Sequence, residues 1–251
     1  MKGLSWFYSN NDTFLKNVEN EKVLKIGNQL SSLFTDKENQ KYSISIPNII
    51  VIGSQSSGKS SLLNSLIGYD ILPTGNNMVT RTPLMLQLNN SSQSKAEFGH
   101  YINDKWIIDK NFELETNCID HAKQKLLHKE IEIQTRNKAG TQKNISYNPI
   151  ILKIYLPNIP DLNLIDLPGL TMIGLTDKGQ TKDMPQKIRK MLSNYIKDPK
   201  SIILAVIPAR TDIEADMGLE LIKKYDITGE RTCGVLTKVD LMNNDTDISN
   251  Y

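Results

Sequence analysis

The chain has 251 residues, a net charge of +2, 39% hydrophobic and 23% charged residues, the ordinary make-up of one large α/β domain with room for a small appendage. So small a charge gives no argument for nucleic acid or an anionic surface, and no apolar run is long enough for a signal peptide or a membrane span. Two cysteines, Cys118 and Cys233, lack metal-ligand spacing and make a poor disulfide framework, which points to a reducing, cytoplasmic setting.

Residues 1–17 are polar and asparagine-rich and read as a disordered start. Val23, Ile26, Leu30, Leu33 and Phe34 recur at helical spacing, predicting one amphipathic helix from about Val18 to Phe34 and a charged connector to residue 43. From Ile44 the pattern turns β-branched. "SISIPNIIVIG" predicts a buried strand, "SSLLNSLIG" a helix opening with Lys59 and Ser60, and "YDILPTGNNMVTRT" a loop. "PLMLQL" and "KAEFGHY" are the next predicted strands, with "NNSSQS" as their turn. "CIDHAKQKLLHKEIEIQTRN" predicts a charged amphipathic helix, "YNPIILKIYLP" and "DLNLIDLPG" two strands, and "DMPQKIRKMLSNYIK" a helix. "SIILAVIPA" reads as a central strand, "EADMGLELIKKYD" as a helix with a solvated, charge-alternating face, and "RTCGVLTKVDLM" as a last strand with a polar exit. The tail "NNDTDISNY" reads as disordered. Alternating strands and helices imply a three-layer α/β/α domain around a mostly parallel sheet, with ligands at the carboxyl ends of strands.

The chemistry-bearing motifs stand at such ends. Gly53, Gly58, Lys59 and Ser60 satisfy G-x-x-x-x-G-K-[ST] between a strand and a helix. Glycines let N–H groups turn inward around phosphates, and the helix N-terminus adds partial positive charge. Lys59 would reach the β- and γ-phosphates, and the Ser60 hydroxyl would ligate Mg²⁺. Asp166 and Gly169 in "LIDLPGL" follow an apolar strand; the first would hold Mg²⁺ and the second would turn its N–H to the γ-phosphate. Thr237, Lys238 and Asp240 in "LTKVDL" would read the base. A carboxylate there accepts two N–H bonds from the guanine edge, which adenine lacks. Thr80 would complete the Mg²⁺ set. Standing alone, each of the last three features is a common turn or a solvated charge; their order behind the glycine loop makes them specific. His100, His121 and His128 are scattered without ligand geometry.

The loop "GSQSSGKSSLLNSLIG", its continuation "LPTGNNMVTRTPLMLQL", and then "KAEFGHY", "PIILKIYLPNIPDLNLIDLPGLT", "IILAVIPA" and "RTCGVLTKVDLM" resemble, in that order, the dynamin superfamily of large GTPases, from roughly Val18 to Met242. The resemblance implies a P-loop GTPase domain over residues 44–251, and a segment over 18–43 like the first helix of the bundle signalling element. It implies that Gly53, Ser54, Ser57, Gly58, Lys59, Ser60, Ser61 and Gly169 bind GTP phosphates, and that Thr237, Lys238 and Asp240 bind the base. Gln55 would position the attacking water, since Leu170 stands where Ras-like GTPases keep a glutamine. Ser56 would help hold a charge-compensating monovalent cation, and Thr80 would fix Mg²⁺ and the water. GTPase-domain dimers or oligomers, and peripheral membrane contact coupled to remodelling, are the implied partners, with no nucleic acid. By the same analogy Asp212 and its loop would touch a dimer partner. The chain departs from the pattern in three ways. Asn77 replaces a second glycine, Met172 replaces a basic residue (Lys178 is not aligned with it), and the C-terminal part of the domain is missing, which would leave the "LTKVD" edge strand uncovered. A catalytically weak GTP-binding switch, or a truncated interaction fragment, is therefore the alternative reading.

Overall fold

The computed structural model describes residues 47–75, 80–115, 118–140, 144–171, 183–209 and 213–242. The expected helix of residues 18–34, Asn77, Met172, Lys178, Asp212 and the tail lie outside the described residues.

The chain builds a single sheet from β1 (Asn48–Ile52), β2 (Leu84–Asn90), β3 (Lys95–Ile102), β4 (Lys105–Glu113), β5 (Ile150–Leu156), β6 (Leu162–Asp166), β7 (Ile202–Pro208) and β8 (Thr232–Thr237). Their order across it is β4-β3-β5-β2-β6-β1-β7-β8. The neighbours β6–β1, β1–β7, β7–β8 and β2–β5 run parallel, whereas β2–β6, β3–β5 and β3–β4 run antiparallel. Four helices follow: α1 (Lys59–Ile67), α2 (His121–Ala139), α3 (Met184–Ile196) and α4 (Met217–Ile222).

β1 shows why the sheet needs cover on both faces. Ile50, Val51 and Ile52 are all buried, and alternate side chains feed different cores. Val51 joins Leu63 and Ile67 of α1 and Leu127 and Ile131 of α2 on one face. Ile50 and Ile52 join Ile188, Leu192 and Ile196 of α3 and Leu221 of α4 on the other. The expected three-layer α/β/α arrangement follows from this alternation.

Three expectations change. "NNSSQS" does not turn β2 onto β3, because β5 lies between them and takes an edge of each. β3 pairs instead with β4, a strand the sequence pattern hid. Asn103 and Asp104 join the two with φ of 48° and 60°, the geometry of a tight hairpin turn. β7 is not central but lies next to the edge strand β8. The helix expected over "EADMGLELIKKYD" is reduced to a 3-10 turn, Ile213–Ala215, and the short α4.

The parallel block β6-β1-β7-β8 matters most for function. Four strands pointing the same way deliver their carboxyl ends to one rim. β2 runs against β6 and starts there, with Leu84 opposite Asp166. The described residues that follow β1, β6, β7 and β8 and those directly before β2 therefore meet at one place.

Candidate functional site: a phosphate loop with a hydroxyl–carboxylate cluster

The loop Gly53–Gly58 leaves β1 and enters α1. Gly53 is obligatory: a Cβ there would lie 2.3 Å from the Val206 carbonyl oxygen and 2.7 Å from Ser57 Oγ. Ser56 sits exposed at the apex with φ 61°, and Gly58 caps α1 with φ 99°, both left-handed. No side chain caps this helix and its first turn holds no acid. Its orphan N–H groups thus face the loop, as an anion site requires. Ser57 is fully buried and its hydroxyl has no partner. Ser61 is exposed on the first turn of α1.

The segment after β6 is fastened to this loop. Gln55 N–H donates to the Leu170 carbonyl at 3.0 Å and Leu170 N–H to the Gly53 carbonyl at 3.1 Å, so Ser54 and Leu170 form a small parallel bridge. Gly169 is wedged beneath: a Cβ would come within 2.7 Å of Gln55 Cα and 3.0 Å of Lys59 Nζ. The expected neighbours Gln55, Lys59 and Gly169 are therefore brought together.

Lys59 is buried, and its ammonium donates to the carbonyls of Ser54 at 2.8 Å and Gly53 at 3.3 Å. Burial lowers its pKa, while the Asp166 and Asp216 charges work against that shift. Asp166 is 3% exposed. The Ser60 hydroxyl donates to its Oδ2 at 2.9 Å and the Thr80 hydroxyl to the same atom at 3.0 Å. Burial raises the carboxyl's pKa, opposed first by the Lys59 charge and then by those hydroxyls. Its Oδ1 is buried with no partner.

These residues fit a divalent cation. An orphaned carboxylate oxygen stands beside two hydroxyls that keep lone pairs after donating their protons. Hard cations such as Mg²⁺ take such oxygens and complete their shell with water and phosphate. Among the described residues no group of three or more His, Cys, Asp or Glu side chains gathers, so this one-carboxylate cluster relies on its hydroxyls. His100 pairs with Asp109 and His128 with Glu132, as ordinary surface contacts.

On the far side, Thr237 ends β8 against the loop. Its hydroxyl donates to the Ser57 carbonyl at 2.6 Å, and its side chain fills the space 3.5 Å from where a Gly58 Cβ would stand. Lys238 follows in a left-handed conformation with φ 57°, and Asp240 lies in the 3-10 turn Val239–Leu241. Both are exposed, whereas Thr237 bonds to the loop.

Asp216 was expected on a solvated face, and that is corrected. It is 4% exposed and caps α4, accepting from Gly218 N–H at 2.8 Å and Leu219 N–H at 3.0 Å. A Cβ on Gly218 would lie 3.6 Å from Gly53 Cα, so this cap is packed directly under the phosphate loop. The signal was present, since an acid immediately before an apolar run is an N-cap signature. The solvated face is real for Glu220, which meets Arg189 and Lys224 in solvent. Asn64 was also missed. Its amide donates to Asp70 Oδ1 and the Leu72 carbonyl and accepts from Ile71 and Leu72 N–H, tying α1 to the segment Asp70–Leu72 that follows it.

Among the described residues, no helix is long and apolar enough to cross a membrane. Comparison with known proteins agrees with this geometry. A sequence model of the Dynamin family matches residues 49–239. The chain is 42% identical to Dynamin-B of Dictyostelium discoideum, over 96% of this chain and 27% of that protein. It is 39% identical to Dynamin-1-like protein drp-1 of Caenorhabditis elegans, over 90% of this chain and 32% of that protein. It is 40% identical to Dynamin of Drosophila melanogaster, over 90% of this chain and 24% of that protein. The chain thus spans about a quarter to a third of the length of these relatives. With the phosphate loop, the Asp166 cluster and the strand order all in place, the chain belongs to the dynamin family and has the fold of its P-loop GTPase domain.

Proposed function

We propose that the chain binds GTP with Mg²⁺ and hydrolyses it to GDP and phosphate. The observation that carries this reading is the convergence of Ser60 and Thr80 on Asp166 Oδ2, beside an orphaned Oδ1 and within the field of Lys59. Gly53, Ser54, Ser57, Gly58 and Ser61 would line the phosphates, Lys59 would balance their charge, and Gly169 would present its N–H to the γ-phosphate. Ser60, Thr80 and Asp166 would hold the metal, which supplies charge neutralisation on the phosphate oxygens. Gln55, fixed through its backbone to Leu170, would orient the attacking water. Ser56, exposed at the apex, would offer its oxygens to a monovalent cation. Thr237, Lys238 and Asp240 would hold guanine. Catalysis of this kind is mostly positioning and charge compensation.

Pairing of two such domains, a cytoplasmic setting and recruitment to membranes for remodelling extend the same reading to the longer proteins that the chain resembles. GTP hydrolysis measured against protein concentration, with Lys59→Ala as control, tests it. Turnover per molecule that rises with concentration and vanishes in Lys59→Ala supports a dimer-activated GTPase. GTP binding with no turnover at any concentration leaves only a switch.

A further inference from the structure

The sheet ends at β4, whose outer edge has no partner strand among the described residues. β4 is exposed along most of its length, with Ile107 at 41% and Ile108 at 48%. An unpaired edge carrying apolar side chains is a template for another strand, and folded proteins either blunt it or use it. Here one end is blunted. The register with β3 shifts between Phe98 and Gly99 and skips Asp109, and beyond it Lys110 bonds to the Glu130 carboxylate of α2 at 2.5 Å. The stretch Lys105–Asp109 on the other side of Lys110 lies open.

This stretch is complementary to itself. Laid antiparallel on a second copy about Ile107, it sets Lys105 opposite Asp109, Trp106 opposite Ile108, and Ile107 opposite Ile107. A twofold axis repeats each unlike pair, so two ion pairs flank an apolar centre. Lys105 is exposed and has no ion pair among the described residues. Asp109 Oδ2 meets the exposed His100 at 3.0 Å, and His100 stands opposite Ile107 in the hairpin, so the carboxylate lies on the face that carries Ile107. Lys105, two residues before Ile107, shares that face. Centring the pairing on Asp109 or on Lys110 would instead set like charges against each other.

The backbone agrees with the same register. A Cβ on Gly99 would collide with the Ile107 carbonyl oxygen, so this carbonyl points toward β3. By the alternation of an antiparallel ladder, Trp106 and Ile108 then turn their N–H and C=O groups outward. These are the two residues that face each other across the axis. Trp106 is also held in place: its Nε1 donates to Glu97 Oε2 at 3.0 Å, and the Lys153 ammonium stands 4.0 Å from its ring centroid.

We propose that β4 is a docking edge for a second copy of this chain, paired antiparallel and twofold about Ile107. The four strands β3, β5, β2 and β6 separate β4 from β1, so this contact leaves the phosphate loop free and does not depend on the GTPase reading. It is smaller than a standard interface, so the dimer is a weak one.

The test is sedimentation equilibrium of the whole, nucleotide-free chain at concentrations reaching the millimolar. Lys105→Asp and Asp109→Lys are each expected to weaken self-association about tenfold, because each creates two like-charge pairs across the axis. Mixing the two variants in equal amounts is expected to restore association, since every facing pair then joins opposite charges. A second measurement captures a short-lived dimer. In a Cys118→Ser, Cys233→Ser background, Ile107→Cys is expected to cross-link to itself under mild oxidation and Asn111→Cys is not, because residue 107 faces its own copy. A chain that stays monomeric and does not cross-link through Ile107→Cys overturns the proposal, as does a mixture that associates no better than either variant alone. A dimer that forms only with a GTP analogue and is indifferent to both charge changes also overturns it, and leaves the GTPase reading standing.

Discussion

The Ser60 hydroxyl donates to Asp166 Oδ2 at 2.9 Å across a separation of 106 residues. One residue stands in the first turn of α1 and the other closes β6, and the parallel pairing of β1 with β6 brings them together. Asp166→Asn keeps the shape of the site but removes the charge that a cation needs. The variant is expected to fold and to raise the Mg²⁺ concentration needed for nucleotide binding at least about tenfold. Magnesium titration followed by nucleotide fluorescence checks this; an unchanged midpoint would remove Asp166 from the metal set.

Gly169→Ala places a methyl 2.7 Å from Gln55 Cα and 2.9 Å from Gln55 N. Both are backbone atoms held by the Leu170 bridge, so neither yields easily. Overpacking of this kind costs about 1–3 kcal/mol. Chemical denaturation of the nucleotide-free chain is expected to show that loss, with weaker GTP binding alongside it. Full stability in Gly169→Ala would mean that the two loops are not locked together.

Asp216→Ala removes the cap of α4 and leaves Gly218 and Leu219 N–H unpaired beneath Gly53. The expected loss is about 1–2 kcal/mol. Asp216→Asn, which keeps an accepting oxygen, is expected to recover most of it. If both variants lose the same amount, the carboxylate matters for its charge near Lys59 rather than as a cap.

Lys59 gives a pH dependence whose sign is fixed by burial. Its folded pKa lies below the ordinary lysine value of 10.5, so the unfolded chain holds more protons between the folded and unfolded values. Stability therefore rises with pH across that alkaline window, as the cost of burying the ammonium is relieved. Urea unfolding of the nucleotide-free chain against Lys59→Met isolates the effect, because the methionine side chain does not titrate. The difference in stability between the two is expected to shift toward the wild type as pH increases through the window. A difference that is flat with pH contradicts the burial of a charged Lys59.

Much of this arrangement is legible in the residues themselves. The run Ile49–Ile52 and the glycine spacing after it announce a buried strand feeding a phosphate loop, and the order of the later motifs places Asp166 and Thr237 on the same rim. What escapes is whatever depends on partners distant in sequence. β4 is exposed along most of both its faces, so its pattern carries no burial signal. The insertion of β5 between β2 and β3 follows from pairing across more than fifty residues, which no local turn reveals. Asp216 looks like a surface acid until the packing of Gly218 on Gly53 shows what covers it.

On this reading a guanine nucleotide lies on the loop with a metal at Asp166. The most direct measurement is calorimetric titration of the chain with a non-hydrolysable GTP analogue and with its ATP counterpart, each with and without Mg²⁺. Mg²⁺-dependent binding of the guanine analogue is expected, with at least about a hundredfold weaker binding of the adenine analogue and loss of both in Lys59→Ala. Equal affinity for the two bases, or binding indifferent to Mg²⁺ and to Lys59, would contradict it.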